Sequence, residues 1–501
     1  MKYVFLILFV AVMIAVGIYS KKKVNNINDF LLAGRNVGPW ISAFAYGTTY
    51  FSAVIFIGYA GSVGWNYGIS ATWVGIGNAI LGCLLAWLVL AKKTRKMTHD
   101  LDASTMPEFF EKRYGSRALK IATSIIIFIF LVPYTASVYS GLSYLFSKAF
   151  DVPYEYCMLA MAILTGVYLL LGGYVATAIN DFIQGIIMLV GLVLMVFFIV
   201  GHEKVGGLSA GLNTLASYDD NLVKVFSGQP MNLLGLVILT SLGTWGLPQM
   251  IHKFYAVRDE DAIKKGTIIS SIFAIIISGG AYFSGVFGRL FLDNQKPAVM
   301  DTVMPDVLSM ALPDWMMGII IILVLSASMS TLSGLVLISS SAISMDLLKG
   351  SLFPKMKKET VMTLMRVLCA VFVALSFAIA VTKISAIITL MSLSWGTIAG
   401  AFLAPFLYGL YWKGVTKAGA WAGVISGIVC SIGGFFYFGM KASLAPNIGA
   451  VAMLVSLVVV PVVSLLTPKL PEEHLQKVFI DQPKDDKVYS KLNPNNVGSE
   501  A

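Results

Sequence analysis

The chain has 501 residues, of which 57% are hydrophobic and only 12% charged, roughly half the ~25% charged share of an ordinary soluble domain. That excludes two soluble domains, and apolar runs of about 18 or more residues, long enough to cross a bilayer as helices, recur from Tyr3 to Leu466. The net charge of +10 does not point to nucleic acid, because Lys and Arg gather at span ends, as in Lys21-Lys22-Lys23 and Lys92-Lys93-Thr94-Arg95-Lys96, where they report membrane topology.

In chain order, thirteen spans fall at roughly 3–20, 39–63, 69–91, 119–147, 154–172, 178–200, 230–255, 265–291, 315–345, 361–382, 385–411, 417–439 and 446–467. The first follows only Met1-Lys2 and has no small-residue cleavage site before Lys21, so it reads as an uncleaved span rather than a signal peptide. With the N-terminus outside, 28 of the 36 Lys and Arg lie on the inner segments and 8 on the outer side. With an odd span count, that bias places the N-terminus outside and the C-terminus in the cytoplasm of a multi-pass protein of the plasma (inner) membrane. The expected organisation is an all-α polytopic membrane protein, with a transmembrane domain over 1–467 and a polar cytoplasmic tail over 468–501. Cys83, Cys157, Cys369 and Cys430 lie in apolar segments without Cys-x-x-Cys spacing and read as packed free thiols. The histidines His99, His202, His252 and His474 are scattered and imply no metal site.

Two spans are interrupted by small and hydroxyl residues. The second holds Tyr46-Gly47-Thr48-Thr49-Tyr50-Phe51-Ser52-Ala53, and the seventh Ser241-Leu242-Gly243-Thr244-Trp245-Gly246-Leu247-Pro248. Lying five spans apart, they head five-span blocks that enter the membrane in opposite orientation, over about 39–200 and 230–411. Matched interruptions of this kind mark the central site of inverted-repeat transporters, since a broken helix offers carbonyls to a cation and N–H groups to an anion. Small-residue packing between helices is the alternative. The ninth span is dense in hydroxyls, from Ser326 to Ser333, and Ala327, Ser330 and Thr331 share one face at i, i+3 and i+4. One carbonyl and two hydroxyls suit a single sodium ion, whereas calcium would want carboxylates. Asp181, read as opening the sixth span, is either a helix cap facing water or an intramembrane acid that assists sodium release.

These residues carry a resemblance. The chain resembles the sodium:solute symporter family through Asn28-Asp29-Phe30-Leu31-Leu32-Ala33-Gly34-Arg35, Gly172-Gly173-Tyr174-Val175-Ala176 with Asn180-Asp181-Phe182-Ile183-Gln184, Met329-Ser330-Thr331-Leu332-Ser333, and Ala404-Pro405-Phe406 to Trp412. The resemblance implies a LeuT-like 5+5 inverted-repeat core, with sodium as the coupling ion and no organic cofactor. By position it assigns the main sodium site to Ala327, Ser330 and Thr331, with the carbonyls of Thr48 and Phe51. For a second sodium, or for release, it offers Asp181, Thr331 and Ser333, with Gly334 where relatives place a hydroxyl.

For the solute, the third span has Gly75 where the sugar branch carries a carboxylate, and residues 120–148 enclose no Arg of the sialic-acid kind. Similarity to the sodium/proline branch is nearer, with touches of the pantothenate branch in Thr49-Tyr50-Phe51-Ser52-Ala53 and of the acetate branch around Gly243-Thr244. The expected pocket is lined by Tyr50, Ser52, Ile55, Thr244, Trp245 and Pro248, with Tyr50 and Trp245 alternatively simple packing aromatics. No basic residue is expected there, which favours a monoanion or zwitterion, an amino acid such as proline first, then a monocarboxylate or pantothenate. The partners are then a small solute, sodium and the bilayer, with the oligomeric state open. A membrane solute sensor would need a larger cytoplasmic domain than the 468–501 tail, and an enzyme would need paired acids or a nucleophile with its base.

Overall fold

The computed structural model of the chain describes residues 2–21, 31–226, 228–383 and 385–479, with the side chains of residues 17, 19–21 and 165–176 outside that description. Lys22 and Lys23, positions 28–30 of the family-like entry segment, the side chains of residues 172–176 and the tail beyond residue 479 therefore lie outside it. Among the described residues the regular structure is helical, and the β pairing is one isolated bridge between Val37 and Val257. A helical backbone satisfies its own N–H and C=O groups, as a chain in lipid must.

Ten described helices are long and apolar enough to cross a bilayer, against thirteen expected spans. The difference has structural sources. The helical stretch Val54–Asp100 runs from the second expected span through the third, turning at Gly68. There φ is +54°, and a Cβ would fall 2.0 Å from the Leu222 carbonyl oxygen. Only glycine fits. The fifth and sixth expected spans form one continuous helix, Tyr154–Gly201, of which Thr177–Gly201 is long and apolar enough and Tyr154–Leu164 is shorter. Lys2–Val16, at the first expected span, is likewise short.

Helix boundaries follow local chemistry. Thr105 caps Met106–Tyr114 by accepting from the Glu108 N–H at 3.2 Å, while the Glu108 carboxylate reaches back to the Ser104 N–H at 2.9 Å, a reciprocal capping box. Asp259 accepts from Ala262 at 2.7 Å to start Glu260–Val286, and Thr416 accepts from Gly419 at 3.0 Å to start Lys417–Ile428. The helices differ in how far they are enclosed. In Asp314–Leu352 and Ile387–Tyr411, 83% of the most apolar window is buried, against 33% in Lys358–Val381 and Lys417–Tyr437. The first two are central and the second two form the rim. Asp314–Ser341 packs on Tyr154–Gly201, on Arg117–Phe150 and on the short helix Pro39–Tyr50, which also packs against Glu260–Val286.

Candidate functional site

The second span breaks where its sequence suggested. Helix Pro39–Tyr50 ends with the Phe51 N–H on the Gly47 carbonyl, and Phe51 itself is extended, at φ −102° and ψ 102°. The helix resumes at Val54, with Ile55 bonding the Ser52 carbonyl at 3.0 Å. The Phe51 carbonyl thus lies outside the regular ladder. The seventh span breaks in the same manner. Pro230–Leu242 passes through a 3-10 turn over Gly243–Trp245, Leu247 is extended at ψ 121°, and Pro248 starts the helix Pro248–Tyr255. Gly246 is required here, because a Cβ would meet the Leu403 nitrogen at 2.8 Å and the Ala399 Cα at 2.9 Å.

The hydroxyl-rich face of Asp314–Ser341 lies against the first break. Ser330 Oγ donates to Thr48 Oγ1 at 2.9 Å, and Thr48 Oγ1 donates to the Phe44 carbonyl at 2.8 Å. Thr331 Oγ1 stands 3.1 Å from both the Ala327 and Thr49 carbonyls and 3.4 Å from the Thr48 carbonyl. Ser328 Oγ accepts from the Ala53 N–H at 3.2 Å, fastening the far edge of the break. Thr48, Phe51, Ala327, Ser330 and Thr331 are all fully or almost fully buried. Four of them therefore meet in a compact set of neutral oxygens across two helices, the donor type that suits a monovalent hard cation. Phe51 contributes its position at the break. Ser333 is also buried but turns its hydroxyl to the Met329 carbonyl at 2.6 Å, within its own helix.

Asp181 does not open a helix. It lies within Tyr154–Gly201, 1% exposed, and its Oδ2 is 3.3 Å from the Lys253 ammonium, itself 4% exposed. The water-facing cap reading is thereby overturned. Lys253, near the inner end of the expected span 230–255, is buried in Pro248–Tyr255. A basic group thus lies within two turns of Pro248, paired with Asp181.

The solute-side residues divide. Ser52 and Ile55 sit buried at the first break. Tyr50 stacks on Phe51, with ring centroids 4.3 Å apart, and donates to the Thr240 carbonyl at 2.7 Å. Thr244 donates to the Gly82 and Ser241 carbonyls, and the Trp245 indole to the Leu81 carbonyl at 2.8 Å. Their polar atoms therefore tie the seventh span to the third. Asn78, which sequence reading passed over, anchors the same seam, accepting from Thr240 at 2.9 Å and Ser241 at 3.1 Å. Its signal was available, as the one amide between residues 69 and 91. Gln249 was missed as well. It is 1% exposed, neither amide atom has a hydrogen-bond partner, and it packs near Thr49 and Gly334. An apolar cavity of about 460 Å³ is lined by Trp73, Ile76, Leu81, Phe226, Met231 and Leu234, and so borders the seam at Leu81, whose carbonyl accepts from Trp245.

Comparison with known proteins gives the following. The model of the "Sodium:solute symporter family" matches residues 30–427. A sodium/proline symporter of Staphylococcus aureus (strain JH9) is 30% identical over 485 residues, covering 93% of each chain. Among solved structures, a Na+-coupled sialic acid symporter, described as substrate-bound and outward-open, superposes with a TM-score of 0.78 at 18% identity, over 93% of this chain and 98% of that one. A nucleobase-cation-symport-1 family transporter gives 0.54 at 14% identity, over 91% and 99%. These two likenesses concern the fold, which is the LeuT-like architecture that the family resemblance implied.

Proposed function

The chain belongs to the sodium:solute symporter family, and on that footing we propose that it is a sodium-coupled secondary symporter importing a small carboxylate-bearing solute, an amino acid such as proline first, by alternating access. Membership makes it a transporter and not an enzyme. The observation that carries the sodium reading is the convergence of the Ser330 and Thr331 hydroxyls on Thr48, with the Ala327 carbonyl against Thr331, across a helix break and without a carboxylate in the set. A sodium ion there would pull the two halves of the site together, and its departure would release them. That is the differential contact that alternating access requires.

For the solute, the support is the 30% identical sodium/proline symporter and the charge balance of the region. Lys253 is neutralised by Asp181, so a solute carboxylate would be met by hydroxyls, the Gln249 amide and the N–H groups at the start of Pro248–Tyr255. Such a site suits a monoanion or zwitterion. Short monocarboxylates or pantothenate form the second reading, favoured by the Thr49-Tyr50-Phe51-Ser52-Ala53 and Gly243-Thr244 segments of the two breaks. The N-terminus-outside, plasma-membrane arrangement belongs to the same proposal.

The test is sodium-driven uptake of labelled proline into proteoliposomes, competed by other amino acids, monocarboxylates, pantothenate, a neutral sugar and a dicarboxylate. Sodium-dependent uptake competed by the first three classes is expected. Competition by the sugar or the dicarboxylate alone would overturn the account of the pocket.

A further inference from the structure

We propose that Lys253 is a tethered substitute for a second coupling cation: its ammonium occupies the carboxylate of Asp181, so the protein binds one sodium ion and not two. The inference rests on the sodium site proposed at Ser330 and Thr331 and adds to it a reason for the number of ions.

The pair is unlike the other ion pairs of the molecule. Lys253 and Asp181 have side chains 4% and 1% exposed, 3.3 Å apart, on two different helices. The nine other described pairs each have at least one member that is a fifth or more exposed. An unpaired charge buried to this extent is strongly unfavourable, so removing either partner would strand the other. The pair also adjoins the coupling site. Ser330, which donates to Thr48 Oγ1 at 2.9 Å, lies alongside the Asp181 carboxylate. The hydroxyl set, Asp181 and Lys253 therefore form one electrostatic unit.

Charge arithmetic then limits what the unit can hold. Asp181 and Lys253 cancel, and one sodium ion on neutral oxygens brings the region to a single positive charge. A second sodium ion at Asp181 would share that carboxylate with the ammonium and raise the region to two, inside a medium that screens poorly. Shape is not the obstacle. A Cβ at Gly334 would meet only Thr49 Cγ2 at 3.6 Å and Gln249 Cβ at 3.9 Å, ordinary contacts. There is room for a side-chain carbon at this position, so the ammonium, not a clash at Gly334, is what excludes the ion.

The experiment is equilibrium binding of 22Na+ to the purified full-length protein, which needs no knowledge of the solute. One sodium ion per wild-type protein is expected. Lys253→Met should expose the carboxylate and admit a second, weaker sodium ion, with Gly334→Ser in that background tightening it. Asp181→Asn leaves the ammonium unbalanced beside Ser330 and should weaken sodium binding about tenfold or more, and Asp181→Asn with Lys253→Met should restore it to within about threefold. A merely structural pair would show no such rescue. Two sodium ions on the wild-type protein, or one at unchanged affinity on Lys253→Met, would overturn the inference. Should Lys253→Met fail to accumulate, the wild-type count and the Asp181→Asn rescue decide. A wild-type protein that binds no sodium overturns the proposed sodium site itself, a result distinct from a count of two.

Discussion

Single hydroxyls bear the sodium chemistry proposed here, and they can be removed one at a time. Ser330→Ala deletes the oxygen that joins Asp314–Ser341 to Thr48, and Thr331→Ala deletes the oxygen lying among the Ala327, Thr48 and Thr49 carbonyls. Neither change empties much volume, so insertion and folding should survive. Losing one ligand oxygen is worth roughly 1–1.5 kcal/mol, which corresponds to about a tenfold fall in apparent sodium affinity. Sodium activation of uptake reads this directly, and two variants with wild-type activation curves would move the site elsewhere. The residue scale is also where sequence reading succeeded and failed by position. Ala327, Ser330 and Thr331 share a face because helical periodicity alone puts them there. Gln249 and Lys253 follow Pro248 closely, and only the restart of the helix at that proline draws them inside.

At the scale of elements, the breaks are held by close backbone approach and by one buried cap. Gly246→Ala would press a methyl group onto the backbone of Ile387–Tyr411 at Ala399 and Leu403, atoms that cannot turn aside as a side-chain tip can. Overpacking of this kind costs about 1–3 kcal/mol, so the variant should melt at lower temperature in detergent and lose uptake. Ile387–Tyr411 is also tethered at its start, where the Ile387 N–H donates to Asp301 Oδ2 at 3.1 Å. Asp301 lies outside the spans, and burial pushes its carboxyl up to about 6. A carboxyl whose folded pKa is raised favours the folded state when protonated. That contribution is complete below its unfolded value, near 4, and is lost as pH rises through about 6. Thermal stability should therefore decline across that window, and Asp301→Asn, which keeps an acceptor for Ile387, should flatten the decline. An unchanged pH profile in Asp301→Asn would assign the dependence to another group.

For the whole molecule, the membrane arrangement is the open expectation with the simplest test. The Lys and Arg distribution places residue 210 outside and residue 490 inside. In a cysteine-free background lacking Cys83, Cys157, Cys369 and Cys430, single cysteines at these two positions should label from opposite sides with an impermeant maleimide. Labelling from the same side would overturn the odd span count. The most enclosed helices, Asp314–Leu352 and Ile387–Tyr411, carry or brace the two breaks, while the least enclosed, Lys358–Val381 and Lys417–Tyr437, present apolar side chains such as Val367 and Ile425 to the surroundings.

The sequence by itself determined the class of the molecule, the two broken helices and the hydroxyl face, because each follows from a local rule. A bilayer demands long apolar helices, Gly and Pro interrupt them, and a period of 3.6 sorts their faces. The count of spans was less legible, since hydropathy does not distinguish a turn from a continuous helix across residues 173–177 or from a bend at Gly68. Tertiary structure alone decided that Asp181 is an ion-paired interior acid, that Lys253 is its partner, and that Thr240, Thr244 and Trp245 spend their polar atoms on the third span. These groups lie 72 to 164 residues apart along the chain. No local periodicity carries such information, and a buried charge finds its countercharge only when separate helices pack.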